Sequence, residues 1–272
     1  YYGMYCNDGK DYTITGNDLR GSGHENAYAL YLLNIAEGMI PGGVSVSGNL
    51  WGRNTGVAES NGGLYIADMS NLIIGDATTG VHIKIEDNSG FNTISCNDGT
   101  FRGALLLERV SNITVDNVDA SWSLGGITNS FGIFVQNETT QYSGQTTSHR
   151  NVTIKNCAIQ SRVKGIHITG GKDYTLTNND LRNTGNDNTN PAIYLSGIRP
   201  GTLAAGVVAS GNQFGFLTQT AKTALRVDNM DGLVIGDAGV GGAHIVIEDA
   251  SGANTMNNDG DAAAIYLNAV SN

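Results

Sequence analysis

Two carboxylate pairs are the first candidates for chemistry in this chain of 272 residues: Glu86-Asp87 and Glu248-Asp249. A glycosidase needs two carboxyl groups about 5–9.5 Å apart, one to protonate the leaving group and one to attack or to activate water. Both pairs here are sequence neighbours closing the same phrase, "HIKIED" and "HIVIED". A duplicated pair argues for a structural corner, because an active site is made once. The five histidines, His24, His82, His149, His167 and His244, show no HxH or HExxH spacing for a metal. The acidic stretches "GNDLRGSGHEN" and "NNDLRNTGNDNTN" carry oxygens of the kind Ca2+ takes. They lack the EF-hand and nonapeptide calcium-repeat patterns and read first as solvated turns, with Ca2+ as the weaker alternative and no other cofactor. Cys6, Cys96 and Cys157 are an odd number without a CxxC pair, which leaves neither a disulfide framework nor a zinc site.

Composition narrows the class. Net charge is −10 with a pI near 4.8, and no Lys/Arg cluster exists to neutralise phosphates. Nucleic acid is excluded as a partner. Glycine supplies 38 residues and proline only 3, while apolar residues are 40%. That profile fits many short strands joined by Gly and Asn turns. No leader segment or membrane-spanning stretch is read, so the expectation is a protein that does not insert into a membrane.

The elements that would position any site are repeated. "GKDYTITGNDLR" (9–20) returns as "GKDYTLTNNDLR" (171–182), and "HIKIEDNSGFNT" (82–93) returns as "HIVIEDASGANT" (244–255). Residues 1–162 are read as a first large repeat and 163–272 as a partial second one, in a single domain of 1–272. The final "AIYLNAVSN" reads as a coil interrupted midway.

A finer period runs inside the large one. Eleven four-residue strands begin at Gly3, Ala29, Gly63, His82, Ala104, Gly132, Gly165, Ala192, Ala224, His244 and Ala264, and in all eleven the second and fourth residues are apolar. Period-two alternation puts those residues on one face. Second strands such as "YTITGN", "VSVSGN" and "NVTIKN" follow most of them. No unit of this size buries its apolar face alone, so stacking of about eleven coils is expected, with parallel pairing between successive coils. Asn17, Asn49, Asn97, Asn179, Asn212 and Asn258 recur three residues beyond the centre of the second strand, with Val118 and Cys157 replacing Asn in two coils. The expectation is a ladder of amides at left-handed turns, each donating to the next coil.

Coils such as "GIHITGGKDYTLTNNDLRNTG" and "ALLLERVSNITVDNVDAS" resemble the right-handed parallel β-helices of the pectate-lyase-like class, along essentially the whole chain. The resemblance implies an all-β fold and the right hand of the coil. That class spans lyases, hydrolases, tailspikes, adhesins and surface-layer proteins, so it does not choose a function. Its polysaccharide lyases use an Arg or Lys base beside calcium-holding aspartates. The basic residues near coils five to seven are Arg102, Arg109, Arg162 and Lys164, with Asp116 and Asp119 nearby. No WxDH-like or RxPxxR-like motif accompanies them.

The third residue of each strand points outward: Tyr5, Tyr31, Tyr65, Lys84, Leu106, Phe134, His167, Tyr194, Arg226, Val246 and Tyr266. An apolar stripe along one face marks a binding surface, for sugar rings or for another rod. Tyr5, Tyr31, Tyr65, Phe134, Tyr194 and Tyr266 are its aromatic members. Asn112, Asn137 and Asn151 head glycosylation sequons. The reading favours a non-enzymatic structural segment of a long extracellular or cell-surface fibre, adhesin or surface-layer protein, which assembles with further copies of itself. Its alternative is a protein that binds or cleaves polysaccharide.

Overall fold

The computed structural model describes residues 2–22, 28–50, 62–75, 83–85, 94, 103–121, 131–136, 149–160, 162–185, 190–203, 206–214, 223–230, 234–235, 244–248 and 264–270. Among these, every named strand pairs in parallel and the only helical element is one 3-10 turn, Pro41–Gly43. Nine strands form a long sheet in the spatial order β1 (Met4–Asn7), β3 (Tyr28–Leu33), β5 (Gly62–Ala67), β7 (Gly103–Glu108), β9 (Phe131–Gln136), β11 (Lys164–Thr169), β13 (Ile193–Ser196), β15 (Leu225–Asp228) and β18 (Ile265–Asn268). A second sheet orders β6 (Ser70–Ile74), β8 (Ser111–Asp116), β10 (Arg150–Lys155), β12 (Lys172–Thr177), β14 (Val207–Gln213), β17 (His244–Glu248) and β16 (Val234–Ile235). The pair β2 (Tyr12–Thr15) and β4 (Val44–Ser47) continues the line of the second sheet through Ile83, which bridges Val46 to Ile74. For most of its length the chain alternates between sheets and so adds one rung to each in turn.

Register follows the alternation. Ile133 pairs with Ile166, Ile166 with Ile193, Ile193 with Leu225 and Leu225 with Ile265. The second apolar position forms its own column, Leu32, Ile66, Leu107, Val135, Ile168, Leu195 and Val227. Facing them from the second sheet are Leu72, Ile113, Val152, Tyr174 and Val207, all buried. One continuous core cluster contains both sets, so the core lies between the two sheets. Each buried Leu, Ile or Val contributes about 1.5–3 kcal/mol.

Isolated bridges make a short third side: Asp18 to Leu50, Asp119 to Ala158, Ala158 to Asp180 and Asp180 to Gln213.

Two of the eleven expected strands do not join the long sheet. Ile83 bridges to both Val46 and Ile74, and β17 lies between β14 and β16. In each copy of the repeat the chain runs ahead and then returns to fill the rung it skipped. Coil-upon-coil order therefore breaks at this point, and the 162-residue repeat contributes five rungs to the long sheet, β1 to β9, rather than six. Lys84 and Val246 are consequently not part of the outward stripe of the long sheet.

The corners explain the Gly, Asn and Asp content. After long-sheet strands the chain takes a left-handed φ at Asp8, Asn34, Asp68, Gly170, Gly197 and Asn229, residue types that tolerate it. Arg109 and Ala269 are the exceptions in this column. A second such column follows the second-sheet strands at Gly16, Gly48, Asn117, Asn156 and Asn178. The repeated Gly9 and Gly171 also turn at positive φ.

Candidate binding face

Removing Lys84 and Val246 tightens the outward stripe. Tyr5, Tyr31, Tyr65, Leu106, Phe134, His167, Tyr194, Arg226 and Tyr266 now stand in direct register on nine consecutive strands. Parallel strands lie about 4.7–4.9 Å apart, which matches the stacking distance of rings. Tyr5 and Tyr31 stack at 4.8 Å between centroids, and Tyr31 and Tyr65 at 4.0 Å. Phe134 meets His167 at 4.4 Å, and His167 meets Tyr194 edge-on at 4.4 Å. Arg226 sits over Tyr194 on one side and Tyr266 on the other.

This geometry decides what the stripe offers. The faces of Tyr5, Tyr31 and Tyr65 are turned toward one another along the column, so ring edges and hydroxyls are what this run presents outward. A sugar would find hydroxyl donors here before it found an open aromatic face. Tyr5 is 48% exposed, whereas Tyr65 and Leu106 are buried in a satellite cluster with Tyr28 and Ala67.

Two carboxylates anchor the column. The Tyr65 hydroxyl donates to Glu108 Oε2 at 2.5 Å, and Arg109 Nη1 lies 3.5 Å from that same oxygen. Arg109 makes a two-pronged pair with Asp68, at 2.7 Å for each prong. This clamp holds Arg109 in its left-handed conformation. Burial, and then the Glu108 charge, push the Tyr65 phenol far above its ordinary pKa, and burial pushes Tyr31 up to about 12. The second anchor is Asp228, which accepts from Tyr194 at 2.8 Å and from Arg226 at 3.0 Å. Burial alone would raise Asp228, but the Arg226 and Tyr194 hydrogen bonds outweigh it and the pKa falls.

The amide ladder occupies the adjoining corner in two runs. Asn17 Nδ2 donates to Asn49 Oδ1 at 2.9 Å, and Asn49 Nδ2 donates back to the Ile14 carbonyl at 2.9 Å. In the second copy Asn179 Nδ2 donates to Asn212 Oδ1 and to the Ile154 carbonyl, each at 2.9 Å, and Asn212 Nδ2 donates to the Leu176 carbonyl. The expected left-handed φ falls on the residue before each ladder asparagine, not on the asparagine itself. The reason is that each ladder side chain must point inward, while the turn preceding it reverses the chain. Asn97 and Asn258 lie outside the described residues.

Cys157 fills the gap between runs, with its thiol 3.8 Å from the Val115 carbonyl and 3.1 Å from that of Lys155. Burial pushes this thiol up to about 12, so it stays protonated. A thiol is a weak donor, and an amide in its place would make the stronger bond. Cys157→Asn should therefore raise stability by about 0.5–1.5 kcal/mol. A rise in the urea midpoint at unchanged slope would show it.

Asn112 and Asn151, heads of two sequons, form a second and exposed ladder. Asn151 Nδ2 donates to Asn112 Oδ1 at 3.0 Å, Asn112 Nδ2 to Asn71 Oδ1 at 3.1 Å, and Asn71 Nδ2 to Glu37 Oε2 at 2.6 Å. Asn137 lies outside the described residues.

The described residues among those considered for catalysis are each tied to a partner of their own. Arg109 serves Asp68 and Glu108. Arg162 is fully buried, with Nε donating to the Ala120 carbonyl at 2.6 Å. Lys164 lies over the Phe131 ring. Asp116 pairs with Lys155 at 3.1 Å, and Asp119 accepts from the Ser121 amide at 2.9 Å. Arg102, Glu86, Asp87, Asp249 and the Glu248 side chain lie outside the described residues. In the two acidic stretches, Asp18 is clamped by Arg20 and Asp180 by Arg182, the same contact in both copies. The arginine bond holds Asp18 down at about 2. Among the described residues no group of three His, Cys, Asp or Glu side chains gathers around a metal-sized space. No helix is long and apolar enough to cross a membrane.

His149 is the buried histidine that sequence spacing does not reveal. Its Nδ1 accepts from the Val110 amide at 3.1 Å, so Nε2 carries the proton and donates to the Gln136 carbonyl at 2.6 Å. Burial lowers its pKa to about 4, and that of His167 to about 3, with Lys164 and Arg226 adding to the latter. Both are native as neutral rings. The unfolded chain binds protons first as pH drops below about 6.5, so stability falls with pH from there down to the folded-state values. The expected loss is on the order of a few kcal/mol for each ring. His149→Gln keeps a donor and an acceptor without a titration. It should flatten the dependence of the urea midpoint between pH 6.5 and 4 relative to the parent.

Comparison with protein-family profiles, with curated proteins and with solved structures yields no match. The class of the molecule consequently stands on its own geometry: an all-β chain of long parallel sheets, compatible with a parallel β-helix.

Proposed function

We propose that the chain is a right-handed parallel β-helix that acts as a non-enzymatic structural segment of a long extracellular or cell-surface fibre, adhesin or surface-layer protein. One observation carries this reading. The ladder crosses the boundary between the first and second large repeats without a change of register, with Phe131 against Lys164 and Ile133 against Ile166. A scaffold that grows by copying requires such a seam. One further feature supports it. The candidate catalytic side chains among the described residues are spent on internal pairs.

A second reading, a glycan-binding protein, is favoured by Tyr5 and Tyr31, stacked in register on neighbouring strands of the stripe. Rods carrying one, two and three tandem copies of residues 1–162, imaged by electron microscopy, distinguish the two. Each added copy should lengthen the rod by a constant ~24 Å, from five rungs at about 4.8 Å. Copies that form separate beads would refute the structural reading. Saccharide-dependent retardation in a gel, lost on Tyr5→Ala, would support the second. Product release from a polysaccharide panel would support the enzymatic alternative.

A further inference from the structure

A column of cations stands at the corner where the chain enters the second sheet. Arg150 pairs with Lys172 and Lys172 bridges to Arg199, so three positive residues lie in register on adjacent rungs. Arg150 and Arg199 are exposed and Lys172 is half-buried. Like charges directly opposite on neighbouring strands repel. Among the described residues no carboxylate forms an ion pair with any of the three. The column therefore stands uncompensated in a protein whose net charge is −10.

The same corner changes sign along its length. At the basic end Arg150, Lys172 and Arg199 outnumber Asp173 by two. On the rungs that follow β1 and β3, Asp8, Asp11 and Glu37 outnumber Lys10 by two. The hydrogen-bond partners of these three carboxylates are neutral: Asn34, the Ile40 amide and Asn71. Between the two ends lie Ser70 and Ser111, in register, with Asn71 and Asn112 beside them. The charges nearest to this middle stretch, Asp68 and Arg109, neutralise each other. Met39, two residues beyond Glu37, is 92% exposed.

An order of acidic, neutral and basic rungs is complementary to itself reversed. We propose that two copies of this chain pair side by side and antiparallel along this corner, about a two-fold axis between Ser70 and Ser111, so that the acidic rungs of each meet the basic rungs of the other. Glu37 of one copy then faces Arg150 of the other. A contact of this symmetry makes every ion pair twice. Exposed ion pairs add little affinity each and chiefly fix register and orientation. Met39 adds an apolar contact, against the aliphatic stems of the facing Arg and Lys side chains. At physiological salt, charges more than about 8 Å apart are screened, so the remaining negative charge of each copy opposes the pair less than the contacting charges favour it. The pairing rests on the rod-like reading above and adds to it how two rods meet.

Sedimentation velocity of the 272-residue chain tests the association. A dimer should form at about 0.15 M salt and dissociate at ~1 M. Arg150→Glu alone, or Glu37→Lys alone, should weaken it by about tenfold, since each turns two attractive contacts repulsive. The double variant exchanges the two signs and should restore the dimer. Orientation is read by pulsed electron paramagnetic resonance from an encoded nitroxide at Thr13 or at Thr114. These positions share one column on the outer face of the second sheet. Antiparallel pairing makes the distance between copies longer at Thr13 than at Thr114. Equal distances, as in a parallel pair, overturn the proposal. So does a chain that stays monomeric, or a double variant that associates no better than the single ones. Retention of the monomer on an anionic polysaccharide, lost in Arg150→Glu, would assign the column to a glycan and overturn the pairing. Electron micrographs of single rods that never pair would defeat the pairing alone, whereas separate beads would defeat the rod-like reading itself.

Discussion

Replacing Asn179 with leucine should cost about 3–5 kcal/mol, among the largest losses open to a single side chain in this fold. The side chain is fully buried and works on both neighbours. Its Oδ1 accepts the Cys157 amide at 3.1 Å, and its Nδ2 reaches the Ile154 carbonyl on one rung and Asn212 Oδ1 on the other. Leucine leaves the Cys157 amide without its acceptor in a space no water replaces at equal strength, and it removes a donor from two oxygens. Each buried polar group stranded in this way costs about 1–3 kcal/mol. The same change at Asn17 should cost less, because that corner is half-open and water can substitute. Urea unfolding of both variants beside the parent measures the difference. Equal and small losses at the two positions would mean that the ladder is ornamental to stability.

The second large effect is steric. Gly165→Val should also cost about 3–5 kcal/mol, at or beyond the usual range for overpacking. A Cβ there would sit 2.4 Å from the Ala192 carbonyl oxygen and 2.6 Å from Leu181 Cδ2. The oxygen cannot retreat cheaply, since it accepts the Ile166 amide at 2.8 Å. Valine must therefore break that rung or push Leu181 out of the core. Ala192→Gly, one strand away, removes a methyl without moving the backbone and should cost only ~0.5–1 kcal/mol. A melting curve for Gly165→Val that overlays the control would contradict the close approach at this corner.

That corner also shows what the sequence made legible and what was overlooked. Apolar alternation matches ten of the eleven expected strands, the segment at 82–85 contributing only the bridges of Ile83, because burial of one face leaves a period of two whichever sheet a strand joins. Alternation alone could not say which sheet. The discriminating signal lay one residue earlier. Nine of the eleven segments open with Gly or Ala, and these nine form the long sheet, while the segment opening at His244 joins the second sheet and Ile83 bridges to Val46 and Ile74 instead. Gly132 and Gly165 explain the rule, since a side chain there would strike Ile159 or Leu181 at the turn into the sheet. Histidine cannot enter such a corner.

Other features were hidden for a different reason. The ladder asparagines were visible as a spacing, and the bonds of Asn17 and Asn49 do recur at Asn179 and Asn212. The reversed order β14, β17, β16 left no mark in composition, because a returning strand reads like any other. The Tyr65–Glu108 bond joins residues 43 apart, and only register brings them together. Long-range pairs of this kind are set by loop lengths, not by the residue types at either end.

The central claim is that successive rungs rise in one unbroken line from β1 to β18, across the seam between repeats. Nitroxides at Tyr5 and Tyr266, introduced as an encoded label that spares the native thiols, test it by pulsed electron paramagnetic resonance. Eight steps of about 4.8 Å predict a single narrow distance near ~38 Å. A short distance, as from two halves folded side by side, or a broad one, as from two independent bodies, would contradict it.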